Sequence, residues 1–316
     1  MPVRTDRVTC VLPVFCMNPS VILISKELER HFLDTQHRGT EFFVFLCGGS
    51  APNQENLRRK VGEEISSLKS KYRYTAYYPE DMFIELILGR ARRDLFSLEN
   101  MLAQSAHAVA ILLDGPGTFV ELGAFANHRG LKDKLILVID PRYQRAKSFI
   151  NLGPVRYLRA RTRSRIHHLA LSEKNTKQLA LTIAESTRGI ARHSPPARDL
   201  TNPLFAYDFY LALVFVFEPI PREAVASIAA ELAGSSDEAI QDASETVINT
   251  LINEGNIMCT GSTLSCTPRG TERLIYTGAT KLRIASLRRM LTDIRYRVLN
   301  TLYRGRLATK GGAFDI

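Results

Sequence analysis

The residues of this chain best suited to chemistry are acids that stand where apolar runs end. Glu80 and Asp81 follow one such run, Asp114 follows another, and Glu121 comes seven residues later. Carboxylates grouped in this way can serve as acid, base or nucleophile at a sugar carbon, and their charge stabilises an oxocarbenium-like transition state. Each acid taken singly is better explained as a helix cap that complements the helix dipole than as a catalyst. Only convergence of the acids in the fold would favour the catalytic interpretation.

Glycines accompany these acids. The apolar run 42–47 ends in Cys47-Gly48-Gly49, and Gly115 and Gly117 flank Pro116. Because glycine has no side chain, such turns let a ligand approach the backbone closely and can present N–H groups to an anion. A dinucleotide fingerprint is not complete, since Val120 occupies the third glycine position, and the chain has no Walker A sequence.

The elements that must position these residues alternate between strand and helix. Continuous apolar runs predict strands over residues 42–47, 74–78, 107–113 and 135–140, each buried on both faces. Strands of this type separated by helices predict an α/β fold, a parallel sheet covered by helices on both sides. Since such sheets bind ligands at the carboxyl ends of their strands, the four acids are expected to surround one pocket.

The rest of the chain predicts two further parts. Residues 1–40 are interpreted as an arm with a short helix, capped by Ser25 and carrying an apolar stripe of Leu28, Phe32 and Leu33. Residues 41–193 form the α/β domain, and the Pro-rich stretch 194–203 is a linker. Residues 203–316 then predict three helices, a hairpin around Gly261-Ser262 and a helix from Thr271 to about Arg306. That is the order of a winged helix-turn-helix domain.

The charge balance points to a polyanionic partner. The chain has 42 Lys+Arg against 32 Asp+Glu, a formal charge of +10, which indicates nucleic acid or else simply favours solubility. The winged-helix region is a nucleic-acid-binding or a protein-docking module, and the surplus favours nucleic acid. The candidate nucleic-acid-binding residues are Arg269, Arg273, Lys281, Arg283, Arg288 and Arg289. A second basic run is either a solvated edge or a phosphate-contacting edge, and it comprises Arg156, Arg159, Arg161, Arg163 and Arg165.

Composition excludes several classes of protein. The chain is 45% hydrophobic and 23% charged, as in ordinary globular proteins, and it has no apolar stretch of the ~18 residues that a membrane span needs. Its five cysteines form no CxxC pair, which argues against a zinc site and a disulfide scaffold and fits a reducing cytoplasm. His167 and His168 are interpreted as surface residues rather than metal ligands.

The segment from Asp114 to Phe125 resembles nucleoside 2-deoxyribosyltransferases. Their signature is an acid, a Gly-Thr pair and then Glu-x-Gly, which this chain matches with Asp114, Gly117-Thr118 and Glu121-Leu-Gly123. The resemblance implies a flavodoxin-like or Rossmann-like sheet, Glu121 as the nucleophile that forms a glycosyl-enzyme ester, and Asp81 and Asp114 as assisting acids. The expected substrate-binding residues are Cys47, Gly48, Gly49, Tyr78, Glu80, Gly115, Gly117, Thr118 and Asn151.

A closer resemblance, to the effector proteins of bacterial retrons, covers most of the chain. It rests on residues 45–49, 78–83, 97–103, 116–127 and 148–156, in that order. The resemblance implies an antiphage toxin that is held inactive by a reverse transcriptase and its msDNA. It also implies an N-glycosidase with NAD⁺ as the leading substrate and no cofactor, acting in a homo-oligomer or larger complex. Hydrolysis is favoured over base transfer, because this chain adds an arm and a second domain to the transferase core.

Two alternatives stay open. Nucleotides or nucleic-acid bases are also possible substrates of an N-glycosidase. The chain could instead be a nucleic-acid-binding regulator whose α/β domain senses a nucleotide, as the winged-helix order and the net charge allow.

Overall fold

The structure, a computed structural model, describes residues 18–35, 41–49, 51–78, 101, 103–234, 238–276 and 281–310. The chain forms two compact units. One comprises residues 37–197, and the other comprises residues 1–36 together with 198–316. The helix of the N-terminal segment therefore belongs to the same unit as the C-terminal third of the chain.

That N-terminal helix, α1 (Pro19–Glu29), begins about two turns before the cap predicted for it. The Asn18 side chain accepts a hydrogen bond from the Ser20 N–H at 2.9 Å, with Pro19 in the first helical position. The prediction of Ser25 as the cap was wrong, because Ser25 lies fully buried inside the helix. The predicted apolar stripe is confirmed, since Leu28, Phe32 and Leu33 are buried.

The unit of residues 37–197 contains a parallel five-stranded sheet within the described part of the chain. Its strands are β1 (Glu41–Cys47), β2 (Arg73–Tyr77), β3 (Ala108–Leu112), β4 (Leu135–Ile139) and β5 (Arg165–His168). They lie in the order β2-β1-β3-β4-β5, and every pairing is parallel. The positions of the four predicted strands are confirmed, and this strand order is that of flavodoxin-like sheets. The prediction of burial on both faces was wrong for β2, in which Tyr74 alone is buried, because β2 lies at the edge of the sheet.

Helices and core residues cover both faces of this sheet. Alternate residues of β1, Phe42, Val44 and Leu46, share one core cluster with the apolar stripes of α2 (Pro52–Ser67) and α5 (Thr176–Ala191). The intervening residues of β1 are buried as well, so the opposite face is also covered. Helix α3 (Pro116–Asn127) packs against β3, and the short helix α4 (Arg156–Arg161) precedes β5.

The second unit is built on a helix that is buried almost all round, α6 (Pro203–Phe217). Strand β6 (Ile220–Pro221), helix α7 (Arg222–Ala233) and helix α8 (Glu238–Asn253) follow, and then β7 (Ile257–Thr260) and β8 (Thr263–Cys266). The three strands form an antiparallel sheet in the order β6-β8-β7. The predicted hairpin is confirmed, with Gly261 at a positive φ of 63° in its turn.

The basic C-terminal region contains two helices where the sequence predicted one. They are α9 (Pro268–Tyr276) and α10 (Lys281–Lys310), and residues 277–280 between them lie outside the described part. Helix α10 packs through a stripe spaced four, three and four residues apart, which comprises Leu287, Leu291, Ile294 and Val298. No helix in the described ranges combines the length and the hydropathy that a membrane crossing requires.

Short π-helical and 3₁₀ segments complete the described chain. The π-helices span Arg30–Thr35 and Asn151–Val155, and the 3₁₀ turns span Pro141–Tyr143 and Glu173–Asn175.

Candidate active site

The switch point of the sheet lies between β1 and β3, because the chain moves outward from β1 to β2 on one side and from β3 to β4 on the other. Ligands of doubly wound sheets bind at the carboxyl ends of these two strands. Two predicted site residues meet there. The Gly49 N–H donates a hydrogen bond of 2.8 Å to Oδ1 of Asp114, although 65 residues separate them.

The two glycine turns pack into one another at this point. The Gln54 amide, in the first turn of α2, donates a hydrogen bond to the Asp114 carbonyl. A Cβ placed on Gly49 would stand 2.1 Å from Oε1 of Gln54 and 3.0 Å from Oδ1 of Asp114, and a Cβ on Gly115 would stand 3.6 Å from the Gly49 Cα. A side chain at Gly49 would therefore displace the end of the Gln54 side chain, and the Gly49 N–H is bonded within the protein.

The Asp114 carboxyl is held in an environment that favours its neutral form. Burial raises the pKa of Asp114, against the opposing effects of the Gly49 N–H and the positive charge of Arg58. Its second oxygen, Oδ2, is buried and has no hydrogen-bond partner among the described residues. A carboxyl with one oxygen fixed by the protein and a raised pKa is suited to donate a hydrogen bond or a proton to a ligand.

Sequence reasoning missed two residues of this site, Gln54 and Arg58. Arg58 is only 6% exposed, and its Cδ would lie 2.9 Å from a Cβ on Gly48. The sequence signal that could have found them is their spacing. Gln54 and Arg58 stand four residues apart on α2, so both lie on one face of that helix, and α2 begins just after the Gly48-Gly49 turn.

Glu121 lies in the second turn of α3, and its Oε2 atom is buried. The loop that connects it to Asp114 is fixed by Thr118, which is fully buried. The Thr118 hydroxyl donates to the Gly115 carbonyl at 2.7 Å and accepts from the Gly115 N–H at 3.2 Å. Thr118 therefore orders the path from Asp114 to Glu121. Gly117 is exposed, and a Cβ placed on it would meet nothing within 4 Å.

Three other predicted site residues, Cys47, Tyr78 and Asn151, are buried or hydrogen-bonded within the protein. Cys47 is fully buried in β1. The Tyr78 hydroxyl donates to the Arg59 carbonyl at 3.5 Å, with the Arg59 guanidinium 4.2 Å from the ring centroid. The Asn151 amide donates to the carbonyls of Tyr143 and Ala146, both at 2.7 Å. Glu80 and Asp81 lie outside the described residues, so the structure describes Asp114 and Glu121 of the four acids.

The predicted nucleic-acid-binding residues differ in their surroundings. Arg269, Arg288 and Arg289 are exposed. The Arg273 guanidinium lies 4.4 Å from the Tyr207 ring centroid and 3.9 Å from Oδ1 of Asp208, which ties it to α6. Lys281 and Arg283 belong to the first turn of α10, and their side chains lie outside the described part of the structure. Within the described ranges, no three His, Cys, Asp or Glu side chains are grouped as metal ligands.

A parallel sheet with an acid and a glycine turn at its switch point defines a doubly wound, flavodoxin-like class of α/β protein, and comparison with known proteins identifies the family within that class. Residues 54–258 match the model of the STM3845 retron effector protein family. The chain therefore belongs to that family, and the predicted resemblance to retron effectors is confirmed.

Two relatives from Escherichia coli share sequence with this chain. The "Retron Ec86 putative ribosyltransferase/DNA-binding protein" is 28% identical over 226 residues, which cover 68% of this chain and 73% of the relative. The "Retron Ec73 putative ribosyltransferase/DNA-binding protein" is 31% identical over 134 residues, which cover 40% of this chain and 41% of the relative.

Proposed function

We propose that this retron effector is an N-glycosidase that acts in antiphage defence and hydrolyses NAD⁺ at the nicotinamide N-glycosidic bond. The observation that carries the proposal is the contact between Asp114 and Gly49 at the switch point, on the loop that leads into the helix of Glu121. Family membership supports the defence role. The word ribosyltransferase in the names of both relatives supports chemistry at a ribose carbon.

The reaction would proceed in two balanced steps. The Glu121 carboxylate attacks C1′ of the nicotinamide ribose, and the C1′–N bond breaks with its electron pair retained by the ring nitrogen. Nicotinamide leaves as a neutral molecule without needing a proton. Water then attacks C1′ of the glycosyl ester, releasing ADP-ribose and a proton and restoring the Glu121 carboxylate.

The neighbouring residues would position the sugar and the phosphates. Asp114, with a raised pKa and a buried Oδ2, would hold a ribose hydroxyl by hydrogen bonding. The Arg58 guanidinium would supply positive charge beside the glycine turns, where a pyrophosphate could approach. On this proposal Asp81 remains a further assisting acid, as the resemblance to deoxyribosyltransferases implies.

We infer that the retron reverse transcriptase and msDNA are the partners that keep the effector inactive. The order helix, strand, helix, helix and hairpin in residues 203–266, with the sheet order β6-β8-β7, supports a winged helix-turn-helix assignment. The exposed Arg288 and Arg289 on α10 would contact the msDNA phosphates.

The test is to incubate the purified full chain with NAD⁺ and to quantify free nicotinamide by chromatography. We expect release by the native protein and a loss on the order of 10³-fold or more in Glu121→Gln. The control is Glu185→Gln, which changes an exposed acid of α5 in the same unit and should leave the rate unchanged. Undiminished release by Glu121→Gln would contradict the proposal.

Parallel incubations separate the alternative substrates. Nucleotides and single-stranded DNA are assayed for free base, and a base-releasing activity that exceeds nicotinamide release would favour the nucleotide or nucleic-acid N-glycosidase. With those substrates the leaving base must be protonated, and the neutral form of Asp114 is the described group suited to that step.

A second candidate, a nucleic-acid-binding regulator, is favoured by the winged-helix order and the charge of +10. It predicts salt-dependent DNA binding without any turnover. Its helix α8 argues the other way, because that helix carries Glu238, Asp242 and Glu245 and no Lys or Arg, an unfavourable surface for a DNA groove.

A further inference from the structure

A strip of exposed aromatic and cationic side chains follows the carboxyl end of β4, on the same edge of the sheet as Asp114. The strip comprises residues 141–157. Its rings are exposed to unusual extents, 85% for Phe149, 55% for Tyr143 and 41% for Tyr157. Its exposed cations are Arg142, Arg145, Lys147 and Arg156.

The charge of this region is strongly one-sided. Residues 141–172 contain eight Lys or Arg and no Asp or Glu. The acid that precedes this run, Asp140, pairs with Arg142 at 3.0 Å, which leaves seven cations. They continue from the strip along α4 to the edge strand β5 and include Arg159, Arg161, Arg163 and Arg165.

The strip has a defined shape. The two hydrogen bonds from the Asn151 amide fix the turn of residues 143–146 against the π-helix that follows. The Phe149 ring lies 3.8 Å from a Cβ built on Gly153, and the Arg142 guanidinium lies 5.6 Å from the Tyr143 ring centroid. The rings and cations are therefore presented by an ordered backbone, which lowers the entropic cost of binding.

We propose that this strip binds single-stranded nucleic acid. Unpaired bases stack on exposed aromatic rings while Lys and Arg contact the phosphates between them, which is how strands are held without sequence preference. Duplex bases are stacked internally and would leave the rings unused. A symmetric contact with a second copy would bring two sets of cations face to face without acids to pair them. The proposal is independent of the glycosidase and of the contact assigned to α10.

Oligonucleotide binding tests the aromatic part. Fluorescein-labelled 20-nucleotide oligothymidine is titrated with the full chain, and affinity is read by fluorescence anisotropy. Phe149→Ala/Tyr157→Ala should weaken binding by roughly 25-fold or more, because each lost base stack costs about five-fold or more. The matched control is Leu181→Ala, which removes a 51% exposed apolar side chain from α5 in the same unit and should leave the affinity unchanged.

Salt dependence tests the cationic part. Arg145→Ala/Lys147→Ala should lower the slope of log affinity against log salt by about 1.4, since each phosphate contact on a single strand contributes about 0.7. Lys174→Ala/Lys177→Ala, which removes two exposed cations of the same unit, should leave the slope unchanged. An oligouridine probe run in parallel measures any preference between DNA and RNA.

Three results would overturn the proposal. The first is unchanged affinity in Phe149→Ala/Tyr157→Ala, with retained folding verified by circular dichroism. The second is a change of sedimentation coefficient in that variant without any change in oligonucleotide binding, which would make the strip a contact between copies. The third is photocrosslinking of an iodouridine oligonucleotide to α10 alone, whereas the proposal expects adducts on Tyr143, Phe149 or Tyr157.

Discussion

At the residue scale, Asp114 shows how a site residue is placed at a cost to stability. Burial raises the pKa of Asp114, which means that the folded protein disfavours its ionised form. A group of this kind reduces the free energy of unfolding at neutral pH, and such groups are expected where a protein needs a particular protonation state. The Gly49 N–H stabilises one oxygen, whereas the other, Oδ2, is buried without a hydrogen-bond partner among the described residues.

Asp114→Asn should make the protein more stable at neutral pH and less active. Asparagine keeps the oxygen that accepts from Gly49 but carries no charge. A carboxyl with a raised folded-state pKa loses stability as pH rises from the unfolded value, near 4, through the folded value. The stability advantage of the variant should therefore be full above that folded pKa and vanish as pH falls below about 4, as measured by urea unfolding. An advantage independent of pH would contradict this explanation.

Gly49→Ala should abolish nicotinamide release with little loss of stability. The added methyl group would meet the end of the flexible Gln54 side chain, which can move, so we expect less than about 1 kcal/mol in the free energy of unfolding. The Gln54 contact with Asp114 would be lost in that move. Gly189→Ala in α5 is the control, because a Cβ there would meet only the end of the Arg165 side chain at 3.9 Å, and equal activities of the two variants would show that the close packing at Gly49 is not needed.

At the element scale, apolar runs and turn glycines predicted most of the fold. The continuous runs ending at Cys47 and Asp140 correctly predicted the central strands β1 and β4. A strand buried on both faces is apolar at nearly every position, so its sequence is easy to recognise. Strand β5 was missed since Arg165-Ile-His-His168 has no such signal. Gln54 and Arg58 were missed because their role depends on which face of α2 meets a turn, which composition does not encode.

The start of α9 is fixed by close packing that leaves no space for a side chain. A Cβ on Gly270 would lie 2.0 Å from the backbone carbonyl oxygen of Asn256. Since backbone cannot move aside as a flexible side chain does, Gly270→Ala should lower the free energy of unfolding by about 3 kcal/mol, measured by chemical denaturation. Gly123→Ala adds the same methyl group at an open helical position and should instead stabilise by roughly 1 kcal/mol. If Gly270→Ala lowered the free energy of unfolding by less than about 0.5 kcal/mol, as substitutions at the protein surface usually do, this packing would be contradicted.

At the scale of the whole molecule, charge is segregated along the C-terminal third of the chain. Residues 218–254 contain eight Asp or Glu and one Arg, whereas residues 281–310 contain nine Lys or Arg and one Asp. A cleft of about 970 Å³ between α7 and α8 is lined by Glu223, Glu231 and Glu245, together with Arg222. A polyanion would be repelled from that cleft and attracted to α10.

Duplex binding should therefore depend on α10. Arg288→Ala/Arg289→Ala should lower the salt slope for a DNA duplex by about 1.8, since each phosphate contact on B-DNA contributes about 0.9. The comparison is Glu245→Gln, which removes an acid from the α7–α8 cleft and should leave the slope unchanged. Anisotropy titrations at several salt concentrations measure both, and an unchanged slope in Arg288→Ala/Arg289→Ala would contradict the assignment of the duplex to α10.

The central claim, that Glu121 is the nucleophile of a glycosyl-transfer site, is tested most directly by trapping the ester. The native chain is incubated with a 2′-fluorinated NAD⁺ analogue, which slows hydrolysis of the intermediate, and is analysed by peptide mass spectrometry. We expect a 2′-fluoro-substituted ADP-ribosyl adduct on the peptide that contains Glu121, absent from Glu121→Gln. Nicotinamide release with the adduct on another residue, or with no protein adduct at all, would contradict it.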